Sequence, residues 1–225
     1  MKVVFSIGGS ILAPEGVDQE YVAKLSKLLR SLSKKHGIAV VVGGGRPARK
    51  NIEKARNEGK TMAYCDYVGI LATRENAKAL ISALGGGSND IVPESIHDAA
   101  NLFGEKILVM GGTEPGHSTD AVAAVLSDWV GADVFVNASN VDAVYDKNPK
   151  KFSDAKPIGK ININDLFTIL KDEGVCAGEY PLLDHVALSI IRRSKIKTLF
   201  VDGRDIKNMA DAVEGRRFKG TTVVY

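Results

Sequence analysis

The sequence predicts an α/β fold: a three-layer sandwich with a central, mainly parallel β-sheet covered by helices on both faces. Three observations carry this. Short runs rich in β-branched residues alternate with amphipathic stretches of helical period along the whole chain. Those runs are apolar almost throughout, as strands buried on both faces must be. And 225 residues, 44% hydrophobic and 25% charged, fit an ordinary globular protein of one large domain or two small ones.

The elements follow in order. The opening "MKVVFSIGGSILAP" has the outline of a secretory leader, a Lys followed by apolar residues, but Gly8, Gly9 and Ser10 break the apolar run. It reads instead as a first buried strand, "KVVFSIG". A helix is predicted over 18–35, where Tyr21, Val22, Leu25, Leu28, Leu29 and Leu32 form one stripe and Asp18 stands as its cap. "IAVVVGG" is the second strand, and Pro47 suits the first position of a helix over 47–58. A helix over 66–84 is ended by the glycines of "GGGS" at Gly85–Ser88. "KILVMGG" is the third strand, followed by a helix over 119–130. "ADVFVNAS" is the fourth, and a helix over 184–194 with Asp184 at its start precedes the fifth, "KTLFVDG". A last helix is predicted over 205–213.

Composition excludes several classes. The formal charge of +3 is weak and spread along the chain, so the basic run "GRRFKG" at Gly215–Gly220 reads as a solvated turn, and no nucleic-acid motif is present. Cys65 and Cys176 make neither a disulfide framework nor a zinc pattern and fit a reducing cytoplasm. No apolar run reaches membrane-spanning length, so no membrane partner is expected.

In a parallel sheet, ligands bind beyond the carboxyl ends of the strands. Three predicted strands end there in glycine: Gly8–Gly9, Gly43–Gly45 and Gly111–Gly112. One such glycine marks a turn; several let backbone N–H groups approach phosphates, most favourably at a helix start. "GGTEPGHSTDAVAAVL" is a junction of that kind, turn chemistry running straight into a helix. No loop reads G-x-x-x-x-G-K-[ST] or G-x-G-x-x-G, which argues against a Walker A protein and a dinucleotide fold. A phosphate-rich ligand held by several separate glycine loops remains.

Taken in order, "GGS", "GGGRPARK", "DYVGILATREN", "GGTEPGHSTDAVAA", "SNVDAVYDKNP" and "LLDHVALSIIRRSKIKTLFVDG" resemble the amino acid kinase superfamily and, within it, the UMP kinases. The chain is most similar to the archaeal branch. The resemblance implies an amino acid kinase-like domain over 1–225, with an acceptor-binding part over roughly 1–130 and an ATP-binding part over roughly 131–225. It implies transfer of the ATP γ-phosphoryl group to UMP, with Mg²⁺ accompanying ATP.

It also assigns residues. On the ATP side stand Gly9, Ser10, Gly45, Arg49, Ser139, Asn140, Tyr145 and Asn148. Gly44, Asp66 and the segment Glu114, Pro115, Gly116, His117, Ser118, Thr119 and Asp120 are matched to UMP. Chemistry allows simpler roles beside several of these. Arg49 can be a solvated helix charge. Asp66 can accept from a ribose hydroxyl or serve as a helix N-cap, and Tyr145 can cover an adenine face or only pack its loop. Asp120 can organise cations at the transferring phosphoryl group or complement a helix dipole. His117 is read as a binding or structural residue, because phosphate is already a nucleophile near neutral pH. Asn148 stands where the family usually has Asp, which weakens its contact; the role of Asp142 stays open, and Asp184 is read as a cap.

One departure bears on catalysis. Many family members carry a phosphate-bridging Lys on strand one where this chain has Ser6, a departure the archaeal branch shares. Another cation must then serve, with Arg46 the first candidate and Lys147 and Lys150 behind it. Two other readings remain open: a different small-molecule kinase of the superfamily, and a non-catalytic ATP-binding relative that stores oxoanions. A cytoplasmic homo-oligomer, a hexamer built of dimers, is expected by resemblance.

Overall fold

Strands that are apolar on both faces require a helix layer on each side. The computed structural model, which describes residues 1–149, 151–172 and 183–225, has that arrangement. The chain runs β1 (Lys2–Ile7), α1 (Gly9–Leu12), α2 (Gln19–Ser33), β2 (Gly37–Val42), α3 (Gly45–Asn57), α4 (Met62–Leu84), α5 (Ile96–Leu102), β3 (Leu108–Met110), α6 (Thr119–Val130) and β4 (Val134–Ser139). It continues through a hairpin of β5 (Val144–Tyr145) and β6 (Pro157–Ile158), then β7 (Lys160–Asn162), α7 (Ile163–Asp172), α8 (His185–Ser194), β8 (Lys197–Asp202), α9 (Ile206–Val213) and β9 (Thr221–Val224).

One seven-stranded sheet has the order β3-β2-β1-β4-β8-β9-β7. Its first five strands are mutually parallel; β9 runs antiparallel to β8 and parallel to β7. The chain steps outward from β1 to β2 and β3, then crosses back to place β4 on the other side of β1. That reversal makes the carboxyl end of β1 the switch point, the natural place for a ligand crevice.

The pleat of β1 sorts the layers. Val3, Phe5 and Ile7 pack with alternate residues of β2, β4 and β8 under α2, α4 and α9. Val4 joins Ala39, Val41, Phe135 and Phe200 on the other face, under α6 and α8. Phe5, Phe135 and Phe200 are fully buried, and burying each such side chain contributes about 1.5–3 kcal/mol. Ser6 lies on Val4's face and Asn137 on Phe135's, so both polar side chains point toward α6 instead of into the α2–α4 layer.

The five predicted strands and six predicted helices are all present, with shifts that have local causes. Asp18 caps α2 by accepting from Tyr21 N at 2.9 Å, and Asp205 caps α9 through Asn208 N at 2.9 Å. α3 begins at Gly45, two residues before Pro47, because Gly45 adopts φ 64° and turns the chain directly from strand end into helix. α4 begins at Met62 with Thr61 as its cap, so Asp66 lies inside the helix and is not an N-cap. Gly85, at φ 54°, ends α4 as the glycine run predicted. The run after α9 is a turn in which Arg216 Nε pairs with Asp211 at 2.6 Å. Cys65 is a buried free thiol on α4, while Cys176 lies outside the described residues. Among the described residues no helix is long and apolar enough to cross a membrane.

Candidate active site at the strand ends

The parallel strands deliver their loops to one edge of the sheet. Each loop starts by continuing the ladder: Gly8 N donates to Ala138 O at 2.9 Å, Gly43 N to Ile7 O at 2.9 Å and Gly203 N to Ser139 O at 2.8 Å. A side chain on Gly9 would collide with the backbone of Gly43–Gly45, so these two loops lie backbone against backbone. The glycines are thus needed for packing, and the same approach brings two sets of N–H groups together beside the start of α3. Ser10 adds a buried hydroxyl with no hydrogen-bond partner among the described residues, an acceptor-donor of the kind a bound ligand satisfies.

α4 ties the loops after β2 and β3 together. Asn76 Nδ2 donates to Gly43 O at 2.8 Å, and Thr73 Oγ1 accepts from Gly112 N at 2.7 Å. Arg74 donates to Gly112 O and Thr113 O, both at 3.2 Å, and pairs with Glu94 at 2.7 Å. None of these three was singled out from the sequence, although all lie in the "ATREN" end of a quoted segment. Two turns before Thr73 on the same helix, Asp66 Oδ2 accepts from Gly116 N at 2.9 Å. The structure therefore joins Asp66 directly to the segment matched with it.

That segment folds as a turn closed by His117 N donating to Glu114 O at 3.3 Å, with Gly116 at φ 83°. Glu114, Pro115, Gly116 and His117 are exposed. Ser118 is the N-cap of α6: its Oγ accepts from Ala121 N at 3.0 Å and donates to Asp184 Oδ2. Asp184 also caps α8, accepting from Val186 N and Ala187 N at 2.7 and 2.9 Å, so the expected cap also links two helix starts. Thr119 is the first residue of α6.

Asp120 follows in the first turn. Its Oδ1 accepts from Ser6 Oγ at 2.5 Å and from Asn137 Nδ2 at 2.9 Å, and Oδ2 has no hydrogen bond among the described residues. Desolvation pushes its carboxyl up to about 6; the two hydrogen bonds oppose that rise and the Asp184 charge adds to it. The bonds from Ser6 and Asn137 give this carboxylate partners from the sheet in addition to the dipole of α6 that a first-turn acid complements. Asn137 was missed, because within "DVFVNAS" it reads only as one polar residue in a strand.

The remaining residues gather beyond β4 and β8. Ser139 is buried, and its Oγ accepts from Val141 N at 3.2 Å. Arg204 donates to Asn140 O at 3.5 Å and pairs with Asp202 at 2.6 Å, holding the Asp202 carboxyl below the usual range. Tyr145 is half-buried and donates to Asp142 Oδ1 at 2.9 Å, while Lys219 Nζ sits 2.8 Å from Asp142 Oδ2. Asp142, whose role the sequence left open, is thus the anchor of Tyr145, and Lys219 of the dismissed basic run is its ion-pair partner. Asn148 O accepts from Lys151 N and Phe152 N at 3.1 and 3.0 Å, fixing the turn after β5.

The cation candidates are placed less centrally. Arg46 is exposed on the first turn of α3 and paired with Glu15; no ion pair joins it to Asp120 among the described residues. Arg49 is exposed on the next turn of the helix. Lys147 pairs with Asp154 at 2.5 Å, and Lys150 lies outside the described residues.

The amino acid kinase family model matches residues 1–202. The uridylate kinase of Methanobrevibacter smithii is 43% identical over 225 residues, covering 100% of this chain and 99% of that protein. That of Methanothermobacter thermautotrophicus is 44% identical with the same coverage. The crystal structure of uridylate kinase from Archaeoglobus fulgidus superposes with a TM-score of 0.89 at 40% identity, covering 100% of both chains. A UMP kinase from Ureaplasma parvum shares the fold, with a TM-score of 0.81 at 23% identity.

Proposed function

The chain belongs to the amino acid kinase family, and from that premise we propose how it works as a UMP kinase: ATP and UMP give ADP and UDP. The observation that carries the residue assignment is the sheet order. Acceptor residues Gly44 and 114–119 follow β2 and β3, Asp66 reaches the 114–119 segment from α4, and ATP residues Ser139, Asn140 and Tyr145 follow β4. Gly9 and Ser10 lie between them at β1, with Gly45 and Arg49 on the adjoining α3. Two substrates bound at opposite halves of one edge meet over β1, which supports an acceptor part over roughly 1–130 and an ATP part over roughly 131–225.

In that arrangement a UMP phosphate oxygen attacks the γ-phosphorus in line and ADP leaves, without a covalent enzyme intermediate. The chain contributes positioning and charge stabilisation: backbone N–H groups of Gly9, Ser10, Gly44 and Gly45, which the sheet ladder does not use, and a cation ordered by Asp120. Mg²⁺, carried on the ATP phosphates, neutralises their charge. Asp120 Oδ2, a carboxylate oxygen free of hydrogen bonds among the described residues, suits acceptance from a magnesium-bound water. We read the protein as cytoplasmic and as a homo-oligomer, a hexamer by family. The exposed apolar stripe of Tyr64, Tyr67 and Leu71 on α4 supports self-association, which sedimentation checks.

ADP release with ATP and a panel of UMP, CMP, dUMP, TMP, AMP and GMP tests the function. UMP is expected to exceed CMP clearly in kcat/KM, because a site that hydrogen-bonds the base edge leaves buried groups unpaired with an inverted donor pattern. Equal values for UMP and CMP would remove the uracil assignment of 114–119.

Asp66→Ala is expected to raise KM for UMP about ten- to hundredfold, equivalent to roughly 1.5–3 kcal/mol for a lost charged hydrogen bond. KM for ATP should barely move. Thr61, not Asp66, caps α4, so the helix keeps its cap in this variant. An equal rise in both KM values would make Asp66 a loop anchor for Gly116 and no more.

A further inference from the structure

We propose that Asn137, together with Ser6, is the positioning residue for Asp120: it holds one carboxylate oxygen and thereby commits the other to the cation at the transferring phosphoryl group. This rests on the kinase reading above and extends it to a residue that reading leaves without a role.

The placement comes from strand register. Ser6 of β1 and Asn137 of β4 are paired neighbours in the parallel ladder. Equal parity puts both side chains on the α6 face, and α6 presents Asp120 to them from its first turn. Both donate to the same atom, Oδ1, and neither to Oδ2. Ser6 is 1% and Asn137 2% exposed, in central strands whose neighbouring residues on that face, Val4 and Phe135, are fully buried in the apolar layer. An amide in such a position is costly unless its hydrogen bonds are used. Half of this one is not: among the described residues no donor reaches the buried Asn137 Oδ1. A core that needed only filling at this point would hold an aliphatic side chain.

The chemistry explains the choice of neutral donors. A lysine on β1 would fix Asp120 and cancel its charge in one contact. A hydroxyl and an amide fix it and leave the charge intact for a cation arriving from outside the sheet. The hydroxyl rotates, whereas the planar amide sets a direction, so Asn137 supplies most of the orientation. Among the described residues, Asp184 at the cap of α8 is the charged group that acts on Asp120, and Ser6 of β1 and Asn137 of β4 hydrogen-bond to it. The orphan Asn137 Oδ1 is then an acceptor for a donor that comes with the substrates.

The test is Asn137→Leu, an apolar substitution of similar size, with Ser6→Ala beside it. For Asn137→Leu, kcat is expected to fall about thirtyfold with both KM values within about threefold. The unfolding temperature should hold or rise, since a buried unpaired carbonyl is removed. Asn137→Ser, which keeps a donor, should recover part of the rate. Ser6→Ala should lower kcat by about threefold to tenfold, and the double variant should fall short of the product of the two, because both act on one oxygen. A folded Asn137→Leu with kcat within twofold of the parent overturns the proposal. So does a fall in kcat matched by equal rises in KM, or a fully multiplicative double variant. Should Asn137→Leu fail to fold, Ser6→Ala and Asn137→Ser decide by the same kcat-against-KM criterion. A parent chain that releases no ADP with UMP overturns the kinase reading and the role of Asn137 with it; an active parent with unaffected variants overturns this role alone.

Discussion

Asp120→Asn is expected to lower kcat by about three powers of ten while the unfolding temperature near neutral pH is unchanged or higher. The two halves of that result have one cause. Oδ1 of an asparagine accepts the same hydrogen bonds from Ser6 and Asn137, so the packing is retained and only the charge goes. That charge is desolvated and faces Asp184, and its carboxyl is pushed up to about 6. The sign follows directly. A carboxyl whose folded value lies above its unfolded one favours the fold when protonated, and its ionisation costs stability as pH rises from the unfolded value, 3.8, through about 6. The variant should therefore gain on the parent across that window and keep the gain above it. Activity runs the other way: only the carboxylate orders a cation, so kcat/KM should rise with pH through about 6 and lose that limb in the variant. Activity within tenfold of the parent, or a variant clearly less stable near pH 7, would show that Asp120 is a packing residue.

The same atoms show what a sequence can carry. The layering was legible because apolar runs of the right length alternate with helical stripes, and the strand-end rule then located the glycine loops without further information. The element boundaries at Gly45 and Met62 were less legible, since a left-handed entry and a threonine cap override the positions that Pro47 and Asp66 suggested. β5, β6, β7 and β9 went unread because two to four residues carry no period. The strand-end glycines and the acids at predicted helix starts have local signatures, and the resemblance to the family supplies the roles of the other expected site residues. Thr73, Arg74, Asn76 and Asn137 have no such signature. Each acts on a backbone or carboxylate 17 to 39 positions away, and their meaning appears only when the sheet closes. Lys219 was discounted for a related reason: a basic turn looks solvated until Asp142, on the neighbouring loop, is seen beside it.

Arg46→Ala is expected to lower kcat by about two to four powers of ten with little change in unfolding temperature. Ser6 puts a neutral side chain where a lysine would stand on β1, and Arg46 lies in the first turn of the helix that both glycine loops abut. A guanidinium can bridge two phosphate oxygens with a fixed fork, which an ammonium cannot. Its side chain is 48% exposed and paired with Glu15, also largely exposed, so the pair contributes little to folding. The pair does set a condition: Arg46 must exchange a carboxylate for phosphate when ATP and UMP bind. Glu15 then acts as a competitor. Glu15→Gln should leave kcat near the parent value and lower KM for ATP modestly, while Arg46→Lys should restore part of the rate lost in Arg46→Ala by keeping charge without the fork. If Arg46→Ala stays within about threefold of the parent at saturating ATP, UMP and Mg²⁺, the phosphates are served by backbone N–H groups and the metal. The search for a side-chain cation then passes to Lys147, which would have to leave Asp154 in the same way.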